Sequence, residues 1–318
     1  MNIAVFMGGS SSEREVSLMS GKACAEALEK AGNNVTMYDV EWIGSNALFE
    51  AVEKTTKNGT DIVFLALHGG LGENGGVQGI LEAAGIPYTG SGITASAVAM
   101  DKNISKALFR YHDIPTAPWL LINPENIEPA EVKDTIGYPC VVKPADQGST
   151  LGLSVVRDPS KLKRAVTKAM LFSSQIMVES YITGKELSVP ILDEHALPII
   201  EIRPSHEIYD YECKYTSGMC SYVIPADVPG KIAQIVTQYA QDVFKLLGLR
   251  DIARIDFRLD EQNCPLCFEA NTLPGMTGTS LVPKSAAKAG IDFTGLVTKI
   301  AQNAYNRKGT ASYGAKSI

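Results

Sequence analysis

The stretch Ala253 to Gly278, ARIDFRLDEQNCPLCFEANTLPGMTG, carries charged side chains at a spacing that could do chemistry. Strand side chains alternate with period two, so Arg254, Asp256 and Arg258 share one face while Ile255, Phe257 and Leu259 share the other. In the next run Phe268 and Ala270 point one way and Glu269 and Asn271 the other; DEQN between the runs reads as a hairpin turn. Antiparallel pairing then brings Asp256, Glu269 and Asn271 together. Carboxylates facing each other destabilise a sheet unless a cation lies between them. Two readings stay open from this stretch. One is a solvated face neutralised by Arg254 and Arg258; the other is a hard divalent-cation site, for which two carboxylates and an amide are suitable oxygen donors.

Other residues offer complementary chemistry. Lys143 to Gly152, KPADQGSTLG, joins two strands through a loop with two glycines, Ser149 and Thr150, whose successive N–H groups could wrap phosphate oxygens. Lys143 shares a strand face with Val141 and, partly shielded, needs an anionic partner. No G-x-x-x-x-G-K-[ST] is present, and the first strand–helix turn lacks G-x-G-x-x-G, which weighs against Walker-type and dinucleotide sites. Glu186 lies on the polar face of KELSVPIL with Ser188, either beside a ribose or as a plain surface residue. Lys102, beside Asp101 and Lys106, reads by itself as an exposed charge. Ser12-x-x-Glu15 is a capping-box pattern, and Glu15 serves either a backbone N–H or a substrate ammonium. Thr279 or Ser280 stands where a helix N-cap is expected, a place for a carboxylate or an ordinary serine cap. The long aromatic segment YDYECKYTSGMCSYVIP reads as a functional loop. Together these features describe a nucleotide-dependent enzyme with an amino-acid-like substrate.

The elements that must position these residues follow from periodicity. Over the first 90 or so residues strands alternate with helices (NIAVFMGG, EREVSLMSGKACAEALEKAG, NVTMYDV, TDIVFLALHGG, GGVQGILEAAG), which predicts a doubly wound parallel sheet with ligands beyond the carboxyl ends of its strands. Those ends carry GGSSSERE and HGGLGENG. SAVAMDKNISKALFRYHDIP reads as one helix stopping before Pro115, followed by a small α+β unit and then by the helix KIAQIVTQYAQDVFKLLG, the hairpin and a last helix. The expected units are 1–95, 96–184 and 185–318. The chain's 318 residues are 45% hydrophobic with a net charge of −6, ordinary globular composition that argues against nucleic acid as a partner. No run of about 18 apolar residues is present, so no membrane partner is expected. The start, MNIAVFMGG, reads as a strand rather than a leader. Six scattered cysteines are expected reduced, and the lone Cys264-x-x-Cys267 to be packing.

The blocks GGSSSEREVSLMSG, ALHGGLGENGGVQGILEAAGIPYTGSG, AMDKNISK, VVKPADQGSTLG, YDYECKY, ARIDF and FEANTLPGMTGTSLVP, in this order, resemble the D-alanine–D-alanine ligases of the ATP-grasp superfamily, to about residue 305. The resemblance implies an ATP-grasp fold (α/β and α+β, with an N-terminal doubly wound parallel-sheet domain), and ATP-driven joining of two D-alanines for peptidoglycan precursors. It implies that Lys102, Lys143, Ser149, Thr150, Glu179, Glu186 and Lys214 contact ATP. Asp256, Glu269 and Asn271 would hold two magnesium ions, with manganese as a substitute. Glu15 would bind the first D-alanine's ammonium near His68, Ser280 and Leu281 would hold the second carboxylate, and Arg254 with the Gly275 N–H would stabilise an oxyanion. Glu15, Ser149 and Tyr215 would form a hydrogen-bonded triad. A cytoplasmic homodimer is also implied.

Departures from the family pattern are small: Thr150 stands where a serine is frequent, and Asn74 where an aspartate is common. Tyr215 goes with D-alanine as acceptor in the family, whereas phenylalanine accompanies D-lactate. The rival readings are a ligase for D-lactate, D-serine or another amino acid, and a non-catalytic nucleotide- or metal-binding regulator. Retention of Arg254 and of the Asp256, Glu269 and Asn271 triad favours catalysis.

Overall fold

The computed structural model describes residues 1–205 and 219–307. Three parallel strands, β1 (Asn2–Met7), β2 (Asn34–Asp39) and β3 (Ile62–Leu65), form the first sheet in the order β2-β1-β3. Val63 also bridges Tyr88 in parallel. Alternate β1 residues feed two cores. Ile3 and Val5 pack with Cys24 and Leu28 of α1 (Arg14–Lys30), whereas Ala4 and Phe6 pack with Leu48 of α2 (Ala47–Lys57) and Leu81 of α3 (Gly76–Ala83). Helices therefore cover both faces, as strand–helix alternation predicts.

The region read as one helix is two, α4 (Ile93–Met100) and α5 (Lys102–Tyr111). Asp101 is extended (φ −82°, ψ 99°), and its side chain accepts from the Ile104 N–H, so it caps α5 where continuous helical periodicity was expected. The buried face of α5 is unusual: Lys102, Ser105, Lys106 and Phe109 point inward, whereas Ile104 is exposed. Two inward lysines four residues apart cost desolvation unless something anionic meets them. The site below supplies it.

A four-stranded antiparallel sheet follows, ordered β4 (Trp119–Ile122), β7 (Ile176–Ser180), β5 (Cys140–Pro144), β6 (Ser154–Val156), and packed on α6 (Pro129–Thr135) and α7 (Leu162–Ala169). The largest sheet is antiparallel and runs β11 (Cys220–Val223), β10 (Ile200–Pro204), β8 (Lys185–Leu192), β12 (Ile252–Leu259), β13 (Pro265–Asn271), with β9 (His195–Ala196) on β8. Leu187, Val189, Ile191, Ala253, Ile255 and Phe257 bury one face against Val236, Ala240, Val243 and Phe244 of α8 (Gly230–Leu246). That burial leaves the opposite face to Glu186, Ser188, Arg254, Asp256 and Arg258. After α9 (Leu281–Lys288), α10 (Phe293–Asn306) puts Leu296, Val297, Ile300 and Ala304 into the core shared by α1, β1 and β3. The end of the described chain thus closes one face of the first sheet. None of the described helices is long and apolar enough to cross a membrane.

Candidate active site

The floor of the site is the polar face of β8, β12 and β13. Asp256 stands opposite Ser188 on one side and Glu269 on the other, and Arg254 opposite Asn271. Asp256 is buried and accepts from four donor atoms: Arg254 Nε (3.0 and 3.1 Å), Arg254 Nη2 (2.8 Å), Ser188 Oγ (2.6 Å) and Asn271 Nδ2 (3.0 Å). Arg258 pairs with Glu186 at 3.0 Å. A bulge changes the expected alternation of the second strand: Asp256 opposes Glu269, but Phe257 opposes Cys267, leaving Phe268 as the extra residue. Phe268 and Glu269 therefore both line the cavity, rather than facing opposite ways. An apolar ring and a carboxylate become neighbours on one wall.

Lysines converge on this floor from other elements. Lys102, expected exposed from its position, is buried; its Nζ donates to the Gln147 carbonyl at 2.7 Å and lies 3.4 Å from Glu269. Glu179, on β7, receives Lys106 Nζ at 2.8 Å and Lys143 Nζ on its other oxygen. Burial would raise the Glu179 carboxyl, but the two ammoniums and their hydrogen bonds outweigh it and hold the group down at about 2. Lys106 is fully buried and also sits 5.2 Å from the Trp119 ring centroid. Leu151, Leu153, Tyr181, Ile182, Leu266 and Phe268 complete an apolar slot beside these charges. Glu186 lines the same slot and is buried, not a surface residue. The arrangement suits a flat aromatic base with a polyanionic tail.

A second cavity lies past Arg254, which among the described residues is the one that lines both. Here the structure corrects the reading of Glu15. Helix α1 starts at Arg14 with Glu13 as its N-cap, and Glu15 in the first turn is exposed. The Ser12–Glu15 capping box does not form, since the N-cap is one residue later at Glu13, and Ser11 Oγ instead accepts from the Glu13 N–H at 3.1 Å. Glu13 turns into the cavity and accepts from Ser149 Oγ in the loop between β5 and β6. A Cβ on Gly69 would lie 2.9 Å, and one on Gly148 3.2 Å, from a Glu13 carboxylate oxygen. Those two glycines make room for the carboxylate. Ser149 (φ 51°) and Thr150 (φ 63°) are both left-handed, a strained conformation for a β-branched residue. Ser149 lines the second cavity and Thr150 the first.

Glu73, not singled out by its position in the sequence, completes the acidic end. It accepts from the Gly69 N–H at 2.9 Å, and burial together with the nearby Glu13 carboxylate pushes it up to about 8. A cation seated here would relieve both effects. His68 lines the cavity but spends its ring nitrogens on protein: Nδ1 lies 3.0 Å from the Leu273 carbonyl and Nε2 3.1 Å from Ser20 Oγ. Burial lowers its pKa. Gly275, Ser280 and Leu281 line the opposite wall. Ser280 is the N-cap of α9, yet its Oγ accepts from the Thr277 N–H at 3.0 Å and makes no cap bond to the helix itself. Lys214 and Tyr215 lie outside the described residues.

The donors on the floor fit a hard cation. Among the described residues no three or more His, Cys, Asp and Glu side chains gather as a cage. Two carboxylates and the Asn271 amide instead share one strand pair, beside the slot where phosphate oxygens would complete a magnesium shell.

Comparison with known proteins bears on what this site does. Residues 41–91 match the family model described as D-ala D-ala ligase N-terminus, and residues 108–302 the one described as D-ala D-ala ligase C-terminus. The chain is 43% identical over 303 residues to the D-alanine–D-alanine ligase of Anaeromyxobacter sp. (strain Fw109-5), covering 95% of this chain and 96% of that one. The crystal structure of the Bacillus anthracis D-alanine–D-alanine ligase superposes with a TM-score of 0.86 at 35% identity, covering 98% of this chain and 100% of that one. The same enzyme complexed with ATP gives 0.84 at 35% identity, covering 98% and 99%.

Proposed function

This chain belongs to the D-alanine–D-alanine ligase family, and on that premise we propose that it joins two D-alanines at the expense of ATP for peptidoglycan precursor synthesis. The observation that carries the reading is the pair of cavities meeting at Arg254, one a lysine-lined apolar slot suited to a nucleotide and one with Glu13 and Glu73 at its acidic end. A carboxylate is a poor electrophile. The first D-alanine's carboxylate oxygen therefore takes the γ-phosphoryl group, and ADP leaves. The second D-alanine's amine then attacks the acyl carbon, and the tetrahedral intermediate collapses to D-alanyl-D-alanine and phosphate.

The roles belonging to this reading are supported by the linings of the two cavities and by the resemblance. Lys102, Lys143 and the loop N–H groups around Ser149 and Thr150 meet the phosphates, while Glu179 and Glu186 bind base and ribose; Lys214 joins them by the resemblance. Glu13, in place of Glu15, and Glu73 take the first ammonium. The start of α9 at Ser280 and Leu281 takes the second carboxylate, where helix N–H groups are free. Arg254 and the Gly275 N–H stabilise the oxyanion. By the resemblance, Tyr215 would act with Ser149 and Glu13 and select D-alanine as acceptor. Asp256, Glu269 and Asn271 would hold magnesium, which when bound offsets phosphate charge. The units 1–95, 96–184 and 185–318, a homodimer and a cytoplasmic setting belong to the same reading.

The test is phosphate release from ATP and magnesium with D-alanine, compared with L-alanine, D-serine and D-lactate mixtures, products being identified by mass. Stoichiometric D-alanyl-D-alanine is expected. Activity with another acceptor alone would change the substrate, and silence with ATP still bound would favour a non-catalytic regulator. On the metal, Glu269→Gln is expected to raise the magnesium concentration for half-maximal rate about tenfold, a loss typical of one weakened ligand contact. An unchanged magnesium titration would remove Glu269 as a ligand.

Glu73 makes a pH prediction. With its carboxyl raised to about 8, it is mostly protonated at pH 7 and offers the ammonium no charge. Ionisation above pH 8 supplies that charge, so D-alanine binding should tighten roughly tenfold from pH 7 to pH 9. Calorimetric titration with a non-hydrolysable ATP analogue present would measure it. Glu73→Gln should flatten the profile, and a flat wild-type profile would refute the assignment.

A further inference from the structure

Gly275, half-exposed on the wall of the second cavity, lies between two buried residues of the β13–α9 loop, Leu273 and Met276, which are tied to the segment after β3 and to α1. Ser20, wholly buried on α1, accepts from the Met276 N–H at 3.2 Å. Its Oγ also lies 3.1 Å from His68 Nε2, and His68 Nδ1 lies 3.0 Å from the Leu273 carbonyl. A carbonyl can only accept, so Nδ1 carries the proton; in the neutral ring Nε2 must then accept from the Ser20 hydroxyl. Every donor and acceptor in the chain Met276 N–H, Ser20, His68, Leu273 is thereby used in one direction. The tied residues, Leu273 and Met276, bracket Pro274 and Gly275. We propose that Ser20, acting with His68, is a positioning residue that aims the Gly275 N–H at the oxyanion of the peptide-forming step.

The role is specific to one chemical step, and it rests on the ligase reading above. Phosphoryl transfer to the first carboxylate develops charge on phosphorus oxygens, away from Gly275. Attack of the second amine puts the negative charge on the acyl oxygen, where a preorganised N–H works because it needs no reorganisation. Ser17, one turn earlier on α1, serves instead as a plain structural tie, accepting from the Gly8 N–H at 2.8 Å and donating to the Ala66 carbonyl at 2.7 Å. His68, with both nitrogens committed, is left no hydrogen-bonding atom for the first substrate.

The test separates the two steps. Exchange of the ATP β,γ-bridge oxygen with non-bridge positions, driven by D-alanine, reports acyl phosphate formation; steady-state dipeptide synthesis reports the whole reaction. Ser20→Ala is expected to lower kcat for dipeptide about tenfold, the scale of one buried hydrogen bond. KM for ATP and the isotope exchange should stay within about threefold of wild type. His68→Asn, which keeps an N–H for Leu273 but loses Ser20, should show the same pattern, and the double variant no further loss. An unchanged kcat in either single variant, or a parallel fall in exchange and kcat, would overturn the proposal. If Ser20→Ala does not fold, His68→Asn decides by the same readouts. Wild-type protein giving neither exchange nor dipeptide with D-alanine would instead overturn the ligase reading.

Discussion

Arg254→Met is expected to lower kcat for dipeptide synthesis by about 10²–10³-fold, the range seen when an oxyanion donor is removed. Arg254 is half-buried, lines both cavities and stands beside the acidic floor it neutralises. Methionine keeps much of its volume, so the apolar packing of β12 should survive. The loss of three hydrogen bonds to Asp256 leaves that carboxylate with Ser188 and Asn271. Binding of the ATP analogue should therefore weaken far less than turnover falls. Steady-state kinetics beside calorimetric nucleotide binding would check this. A variant that turns over at wild-type rate would remove Arg254 from the chemistry, and one that no longer binds nucleotide would make its role structural.

Glu179→Gln should cost the fold about 3–5 kcal/mol, the penalty of breaking a buried ion network and leaving its partners uncompensated. Lys106 and Lys143 would face each other across a neutral amide, with Lys106 shut off from water. The depressed carboxyl of Glu179 corresponds to a figure of the same size. Glu179 is held at about 2 against an ordinary 4.5, which corresponds to about 3 kcal/mol of stability. Because the folded-state pKa is depressed, that stability is fully present above pH 4.5 and is lost as pH falls toward 2. Denaturant unfolding at a series of pH values should show the wild type losing stability across this window, and Glu179→Gln both less stable at pH 7 and flatter in acid. Equal stability of the two proteins at pH 7 would show that Lys106 and Lys143 need no counter-charge. Nucleotide affinity should fall as well, since Lys143 loses the carboxylate that orients it.

Local pattern made much of the molecule legible. Period-two alternation in ARIDFRLD separated Ile255 and Phe257 from Arg254 and Asp256, because one face of a half-buried strand must be apolar whatever the rest of the chain does. Strand–helix alternation likewise predicted the parallel sheet with helices on both faces. The same logic failed where a local rule was broken by something distant. The bulge at Phe268 cannot be read from alternation, since a register shift depends on how β12 pairs with it. Lys102 read as surface charge because helix periodicity alone does not reveal that a β13 carboxylate awaits it, just as a carboxylate on β7 awaits Lys106. A signal was present: Lys102, Ser105, Lys106 and Phe109 share a face, and only Phe109 is apolar. Glu13 and Glu15 are two residues apart at a helix start, and the capping-box spacing favoured the wrong one. Choosing between them required the position of Ser149, 136 residues away.

What the sequence determined by itself was the family, through ordered motif blocks, and the chemistry on offer: acids, lysines, glycine-rich loops and a guanidinium. Those follow from residue type and near-neighbour spacing. Only the tertiary structure decided which carboxylate enters the second cavity, which lysines are buried, and that Ser20 and His68 tie the Gly275 loop to α1. These are relations between residues up to 256 positions apart. Burial and partnership, unlike helix or strand period, are properties of the packed whole, so no local window contains them.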